Sequence, residues 1–267
     1  MKNNVKNHAK ISAKIRFKIR AENQSENQGA FCGILLILYW RPFMREIKPE
    51  SLIFDMDGTI VSTVEDITDS VNVALLQFGL APISVKECIP MLGNGSVMLI
   101  KRAMKGKKEE LFDDVFNTYY SYYHQHYCVK TKPYDGLIDV LLEAKRRGIL
   151  LFVYTNKPHD IALEVLNRCF PKDLFSLLVG IPLGGKVKPD PTPFIDAVSS
   201  YHLDFSKACY FGDSTTDIET ATNLHCGGIY SVLWGYQSFE TLSSFHLKPT
   251  AYLENPKEIQ LVLDEKL

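Results

Sequence analysis

The sequence predicts an α/β fold: a doubly wound parallel sheet with a small α-helical cap domain inserted after its first strand. Three observations lead there. Short apolar runs of strand length alternate with segments of helical period, which is the pattern a parallel sheet requires. Between residues 64 and 130 that alternation stops, and only helical patterns occur. The chain's 267 residues, 46% hydrophobic and 23% charged, suffice for a substantial core in one large or two modest domains.

Taking the elements in order, Ser51-Leu52-Ile53-Phe54 reads as a buried strand, bounded upstream by Lys48-Pro49-Glu50. It runs into Asp55, Asp57 and the sharp turn that Gly58 permits. Ser62 and Thr63, each followed three residues later by an acid (Glu65, Asp66), approximate capping boxes and open a helix. Val64, Ile67, Val71, Ala74, Leu75 and Phe78 recur at helical spacing, and Gly79 ends the run. Helical segments 84–89, 96–104 and 108–127 follow, broken by Pro90, by Gly93-Asn94-Gly95 and by Gly106. Residues 64–130 are thus expected to form the cap, with joints near 61–63 and 130–134, while 44–63 and 131–267 form the core.

In the core, Asp135 is expected to cap a helix carrying Leu137, Val140, Leu141 and Ala144. Its last turn holds Lys145-Arg146-Arg147, where cations suit the helix dipole. An uninterrupted apolar strand over 149–154 ends at Thr155-Asn156, and a helix is predicted for 158–169. After a strand at 174–181 comes the loop with Lys188-Pro189, then a helix at 191–201. A strand at 208–211 ends at Gly212-Asp213-Ser214, Asp217 opens the next helix, and 226–234 reads as the last strand. Asn255-Pro256-Lys257-Glu258 supplies an N-cap, a first-turn proline and a capping glutamate for the C-terminal helix.

Residues 1–43 differ in character. They hold eight Lys/Arg against two Glu, a net of +6, so the −1 of the whole chain leaves −7 for the rest. Their apolar block, 31–40, is half the length of the roughly 20 residues a bilayer span needs. No small-residue cleavage site follows it. We expect this basic extension not to be native, with translation starting at Met44; an intact mass that includes residue 1 would reject that. The acidic body offers no wide footprint for nucleic acid, and no stable membrane insertion is expected. Cys32, Cys88, Cys128, Cys169, Cys209 and Cys226 show no C-x-x-C spacing. They read as reduced thiols of a cytoplasmic protein, not as a disulfide framework or a metal-thiolate site.

Ligands of an open parallel sheet sit off the carboxyl ends of its strands. This chain sets Asp55, Asp57, Thr155, Asn156, Asp213 and Asp217 there, with Lys188 on a following loop. Two carboxylates spaced two apart let one attack while the other handles a proton. Four acids cannot share a small pocket unneutralised. A hard divalent cation resolves the repulsion, and Mg²⁺ fits, since it takes one or two carboxylates and keeps room for water and a phosphate. Each signal is weak alone: Thr-Asn is commonly a turn, and a single lysine is commonly solvated. Gly212-Asp213 by itself is a turn or an N-cap. Their order along the chain carries the inference.

On those residues the chain resembles the haloacid dehalogenase-like hydrolases over nearly all of residues 50–264. Four family motifs match Asp55-Met56-Asp57-Gly58-Thr59, Thr155-Asn156, Lys188-Pro189-Asp190-Pro191 and Gly212-Asp213-Ser214-Thr215-Thr216-Asp217. Within the family the likeness leans to phosphoglycolate phosphatases, on Gly93-Asn94-Gly95, on Pro133-Tyr134 with Gly136, and on Trp234-Gly235-Tyr236. The resemblance implies a Rossmann-like core with Asp55 as nucleophile, forming an aspartyl-phosphate, and Asp57 as general acid and base. It implies Thr155, Asn156 and Lys188 on the phosphate. Mg²⁺ would be held by Asp55, the backbone carbonyl of Asp57 and Asp213, with Asp217 at the metal or supporting Lys188. Many relatives have aspartate where Ser62 stands, a departure that touches the hinge and not the chemistry.

The implied activity is Mg-dependent hydrolysis of a small phosphomonoester, with 2-phosphoglycolate as the first expectation, by a monomer or homodimer. A phosphosugar mutase, a pyrophosphatase or a nucleotidase would share the core residues. A signalling receiver would share Asp55, Thr155 and Lys188 but has no use for Asp57 or a large lid. Leaving-group specificity is expected from the cap, where Gly93, Asn94 and Gly95 can present backbone N–H groups and an amide to a small anion. The basic stretch 101–108 reads as a solvated face. Tyr119, Tyr120, Tyr122, Tyr123 and Tyr127 read as cap packing or a dimer contact rather than a substrate box.

Overall fold

The computed structural model describes residues 47–181 and 185–267; the basic extension and the expected start at Met44 lie outside them. The described chain belongs to one compact unit. It opens with strand β1 (Ser51–Phe54), a two-residue strand β2 (Val61–Ser62) and helix α1 (Val64–Gln77). Helices α2 (Val85–Cys88), α3 (Gly95–Met104) and α4 (Phe112–His126) follow before β3 (Lys132–Pro133). The alternating part comprises α5 (Leu137–Arg146), β4 (Leu150–Pro158), α6 (His159–Cys169), β5 (Leu177–Ile181) and α7 (Thr192–Ala197). It closes with β6 (Ala208–Gly212), α8 (Thr215–Asn223), β7 (Gly228–Val232), α9 (Phe239–Ser244), β8 (Ala251–Leu253) and α10 (Ile259–Leu263).

Six strands pair in the order β5-β4-β1-β6-β7-β8, every pair parallel. From β1 the chain steps outward through β4 to β5, then returns to β6 on the other side of β1 and moves outward again. That reversal makes the carboxyl end of β1 the place where a crevice opens. The strands bury both faces, as parallel strands do. Leu52 and Phe54 join Leu151, Val153, Cys209 and Phe211 in one cluster, while Ile53 joins Phe152, Tyr154 and Tyr210 in another. The period-two alternation of side chains thus splits a continuous apolar run between two half-cores. Phe54 stacks on Phe211 with ring centres 4.9 Å apart, in the row just below the site.

Several details differ from the sequence-based expectation. β4 continues through Thr155 to Pro158, so the second motif lies within the strand, where the pairing with β5 shifts register between Tyr154 and Pro158. The edge strand β8, only three residues long, is too short to leave a periodic trace. β2 and β3 form a two-stranded antiparallel ribbon, Val61 opposite Pro133 and Ser62 opposite Lys132, which joins the two ends of the helical block. Thr63 does occupy the N-cap of α1, but its side chain makes no cap hydrogen bond. The Tyr236 hydroxyl instead accepts from the N–H groups of Thr63 (2.8 Å) and Val64 (3.0 Å). Asp66, the other half of the expected capping box, is buried and turned to the second linker. It accepts from the N–H groups of Val129, Lys130 and Thr131 and from the Thr131 hydroxyl, at 2.8–3.0 Å. Gly136, with φ of 80°, takes the N-cap expected of Asp135. Ser214 caps α8 and Asp217 stands at its third position, closing a capping box rather than opening the helix.

Candidate active site

The sheet register builds the site. Phe54 lies opposite Val153 on β4 and Phe211 on β6, so Asp55, Thr155 and Asp213 all emerge within two residues of that row. The Asp55 N–H is tied to the Phe211 carbonyl at 2.9 Å, which holds the strand tip in register. Gly58 turns the chain with φ of +88°, and a Cβ there would lie 2.4 Å from Asp213 Oδ2. Gly235, on the loop after β7, is equally confined: its Cβ would lie 2.2 Å from the Asp213 Cβ. Both glycines are therefore what allows Asp213 to approach the Asp55 loop.

Lys188 comes from the loop between β5 and α7 and is buried at 3% exposure. Its ammonium lies 2.8 Å from Asp55 Oδ1 and 2.7 Å from Asp217 Oδ1, with the Tyr210 hydroxyl at 3.4 Å. Burial alone would lower its pKa; Asp217 and Asp55 outweigh that and raise it, so it stays charged. Asp217 is fully occupied. Besides Lys188, its oxygens accept from the Tyr210 hydroxyl (3.1 Å), the Ser214 N–H (3.1 Å) and the Ser214 hydroxyl (2.5 Å). Asp213 accepts from the Thr59 hydroxyl at 3.3 Å and the Tyr236 N–H at 2.6 Å.

Oxygens of Asp55, Asp213 and Asp217 lie within 4.8 Å of one another, all three residues buried. Burial pushes the Asp55 carboxyl up to about 7, against the pull of Lys188 and with further push from Asp217 and Asp57. Burial likewise raises Asp213 well above the ordinary range, Asp217 and Asp55 adding to it. Carboxylates gathered so tightly call for a positive charge, and a donor set made of oxygen alone suits a hard cation such as Mg²⁺. The residues fit that ion. Because Asp217 is committed to Lys188 and Ser214, Asp55 and Asp213 are the side chains best placed to hold it.

A cavity of roughly 410 Å³ opens on this cluster, lined by Asp55, Asp57, Thr155, Asn156, Lys188 and Asp213 from the sheet edge. Ile67, Leu92, Gly93, Gly95, Leu99, Tyr119 and Tyr123 line it from the helical block. Of the three cap residues expected to set specificity, Gly93 and Gly95 reach the cavity. Asn94 is exposed, and its side-chain oxygen accepts from Arg102 at 2.7 Å. Asn156 is buried, and its amide acts as a clasp. It accepts from the Lys188 N–H at 2.7 Å and donates to the Gly93 carbonyl at 2.8 Å, tying the lysine loop to the loop before α3. Thr155 is buried at the cavity wall, its hydroxyl accepting from the Lys157 N–H at 3.2 Å.

Three residues here carry more than the sequence reading gave them. Lys157 is 5% exposed and donates to Asp57 at 2.9 Å. Tyr123, read as packing or a dimer contact, lines the cavity and accepts from Lys157 at 2.6 Å. Tyr236 binds Asp213 through its N–H while its hydroxyl caps α1 and lies 3.2 Å from Thr63 Oγ1. Thr63 in turn donates to Asp57 at 2.7 Å. The available signals were position for Lys157, directly after Thr155-Asn156, and the 3.6-residue period that puts Tyr119 and Tyr123 on one face of α4.

The comparisons with known proteins agree with this geometry. A family model described as haloacid dehalogenase-like hydrolase matches residues 52–229. The phosphoglycolate phosphatase of Neisseria meningitidis is 31% identical over 199 residues, 73% of this chain and 84% of that protein. The phosphoglycolate phosphatase of Agrobacterium fabrum is 28% identical over 84% of this chain and 95% of its own length. A solved structure of a candidate phosphoglycolate phosphatase from Lactobacillus delbrueckii superposes with a TM-score of 0.73 at 27% identity, covering 81% of this chain and 99% of that one.

Proposed function

The chain belongs to the haloacid dehalogenase-like hydrolases, and from that premise we propose that it is a Mg²⁺-dependent phosphatase whose substrate is 2-phosphoglycolate. One observation carries the reading: Lys188 bridges Asp55 and Asp217 at 2.8 and 2.7 Å, while Asp57 faces the same cavity two residues from Asp55. Nucleophile, counter-charge and proton carrier thereby share one small space. The relatives named phosphoglycolate phosphatase supply the substrate.

In this reading an Asp55 oxygen bonds to phosphorus as the P–O bond to the leaving group breaks, and Asp57 delivers a proton to the departing oxygen. Asp57 then takes a proton from the water that attacks the aspartyl-phosphate, and Asp55 is regenerated as phosphate leaves. Lys188 and Thr155 hold the phosphoryl oxygens, and Asn156 keeps the Lys188 loop in place. Asp55, the Asp57 carbonyl and Asp213 would hold Mg²⁺, with Asp217 supporting Lys188. When bound, the ion offsets the carboxylates and the charge that develops on the phosphoryl group. Residues 64–130 act as a cap hinged at the β2–β3 ribbon, and Gly93 and Gly95 border the leaving group. A monomer or homodimer acting in the cytoplasm is in keeping with the free thiols of Cys88, Cys128, Cys169, Cys209 and Cys226.

The test is a steady-state panel of 2-phosphoglycolate, glucose 1-phosphate, pyrophosphate and nucleoside monophosphates, with Mg²⁺ and with EDTA. We expect the highest kcat/KM for 2-phosphoglycolate, loss of turnover in EDTA and recovery on adding Mg²⁺. Asp55→Asn should abolish turnover with the fold intact by circular dichroism. A strong preference for another member of the panel would replace the substrate, and activity retained by Asp55→Asn would remove the nucleophile.

A further inference from the structure

The proposed chemistry leaves one cavity cation without a task. Lys157 is almost fully buried on β4, and taking an ammonium out of water costs several kcal/mol unless anions and hydrogen bonds compensate. Its Nζ donates to Asp57, at 2.9 Å to Oδ1 and 3.3 Å to Oδ2, and to the Tyr123 hydroxyl at 2.6 Å; it stands 4.8 Å from the centre of the Tyr123 ring. The other lysine on the cavity wall, Lys188, is engaged by Asp55, Asp217 and Tyr210. The cap side of the wall is otherwise largely apolar, with Ile67, Ile89, Leu92 and Leu99, and the nearby Arg102 is bound to the Met91 carbonyl and Asn94.

We propose that Lys157, together with the Tyr123 hydroxyl, forms the subsite for a carboxylate on the leaving group, and so selects phosphorylated short hydroxy acids over phosphomonoesters whose leaving group is uncharged. The inference rests on the phosphatase reading above and names the residues that would enforce it. Its geometry is short-range. For Asp57 to protonate the departing oxygen, that oxygen must come within about 2.6–3.2 Å of the carboxyl group. In a two-carbon acid the carboxylate carbon lies two bonds further on, about 2.4 Å away. A cation 2.9 Å from Asp57 is within reach of that carboxylate, whereas a longer leaving group would carry its charge past Lys157.

The donor inventory agrees. An ammonium has three N–H donors; one shared between the two Asp57 oxygens and one on Tyr123 leave the third for a ligand. The Tyr123 oxygen accepts from Lys157, so its own proton remains to donate. Burial raises that phenol well above its ordinary range, with Asp57 adding to the effect, and keeps it a donor. A carboxylate beside Asp57 would otherwise meet a like charge; the ammonium between them offsets the repulsion. The apolar cap wall strengthens the attraction by excluding water.

The experiment compares kcat/KM for 2-phosphoglycolate with that for ethyl phosphate, whose leaving group has the same length and no carboxylate. Any service Lys157 performs for Asp57 is common to both substrates and cancels in the ratio. Lys157→Met is expected to lower the ratio by about tenfold to a hundredfold, chiefly through KM for 2-phosphoglycolate. Lys157→Arg should retain more of the ratio, and Tyr123→Phe should show a smaller loss in the same direction. If both rates fall and the ratio stays, Lys157 only positions Asp57 and the subsite is refuted. A wild-type enzyme with no preference for 2-phosphoglycolate would refute the subsite and the substrate together. Should Lys157→Met fail to fold, Lys157→Arg and Tyr123→Phe give the same comparison.

Discussion

Asp55 is raised from 3.8 to about 7 by burial, with Asp217 and Asp57 adding to the shift and Lys188 opposing it. A carboxyl raised on folding holds its proton more tightly in the native state than in the unfolded one. Its contribution to stability is therefore full at low pH and is lost as pH climbs from about 4 to about 7. Asp213 shifts in the same direction. A divalent cation on these oxygens must displace those protons. The rise in Tm that Mg²⁺ gives EDTA-treated protein should accordingly be larger at about pH 8 than at about pH 5, and Asp55→Asn should flatten that difference. Equal rises at both pH values in the wild type would count against the metal assignment. At this scale the four motif acids, Thr155 and Lys188 were legible, because each follows an apolar run: Asp55, Asp57 and Asp213 just beyond β1 and β6, Thr155 late in β4, Lys188 on the loop after β5 and Asp217 in the first turn of α8. Lys157 was not read: its place directly after Thr155-Asn156 marks it out, but its partner Asp57 is a hundred residues away and nothing local names that pairing.

Among the elements, the two linkers of the helical block depend on one buried carboxylate. Asp66, in the first turn of α1, gathers three consecutive N–H groups and one hydroxyl from residues 129–131. Removing it leaves those donors unpaired in a partly dry setting. Asp66→Ala should cost about 2–4 kcal/mol, read as a lower urea midpoint at unchanged m-value. A loss under about 1 kcal/mol would mean that water satisfies the linker as well as Asp66 does. The sequence pattern S/T-x-x-D/E at 62–66 pointed to a helix start and located α1 correctly. It could not tell that Tyr236, from beyond β7, would cap the helix and release Thr63 to Asp57. The motif Trp234-Gly235-Tyr236 stood out in the sequence as a likeness only. Its physical sense is that Trp234 binds the Thr59 carbonyl, Gly235 makes room for Asp213, and Tyr236 joins Asp213 to α1.

For the molecule as a whole, the six strands of the main sheet and every candidate site residue lie between 51 and 253 among the described residues, within one compact unit. Among the described residues no helix is long and apolar enough to cross a membrane. Protein beginning at Met44 should therefore match the full chain in kcat/KM and in Tm. A fall in either would give residues 1–43 a part in the fold or the site. The basic stretch 101–108, read as a solvated face, helps hold the helical block together: Lys105 pairs with Glu87 at 3.0 Å and Lys108 donates to the Phe78 carbonyl at 2.7 Å.

By itself the amino-acid sequence determined the parallel α/β core, the position of the helical insertion and the residues of the four motifs. Local apolar periodicity decides what becomes strand or helix, and parallel topology sends strand ends to one edge. Tertiary structure alone decided that Lys157 meets Asp57 and Tyr123, that Asn94 bonds to Arg102, that Asp66 fastens the second linker, and that Tyr236 caps α1. Those are contacts of single side chains, several of them between residues distant in sequence. Packing selects them, and no period or spacing in the chain records the choice.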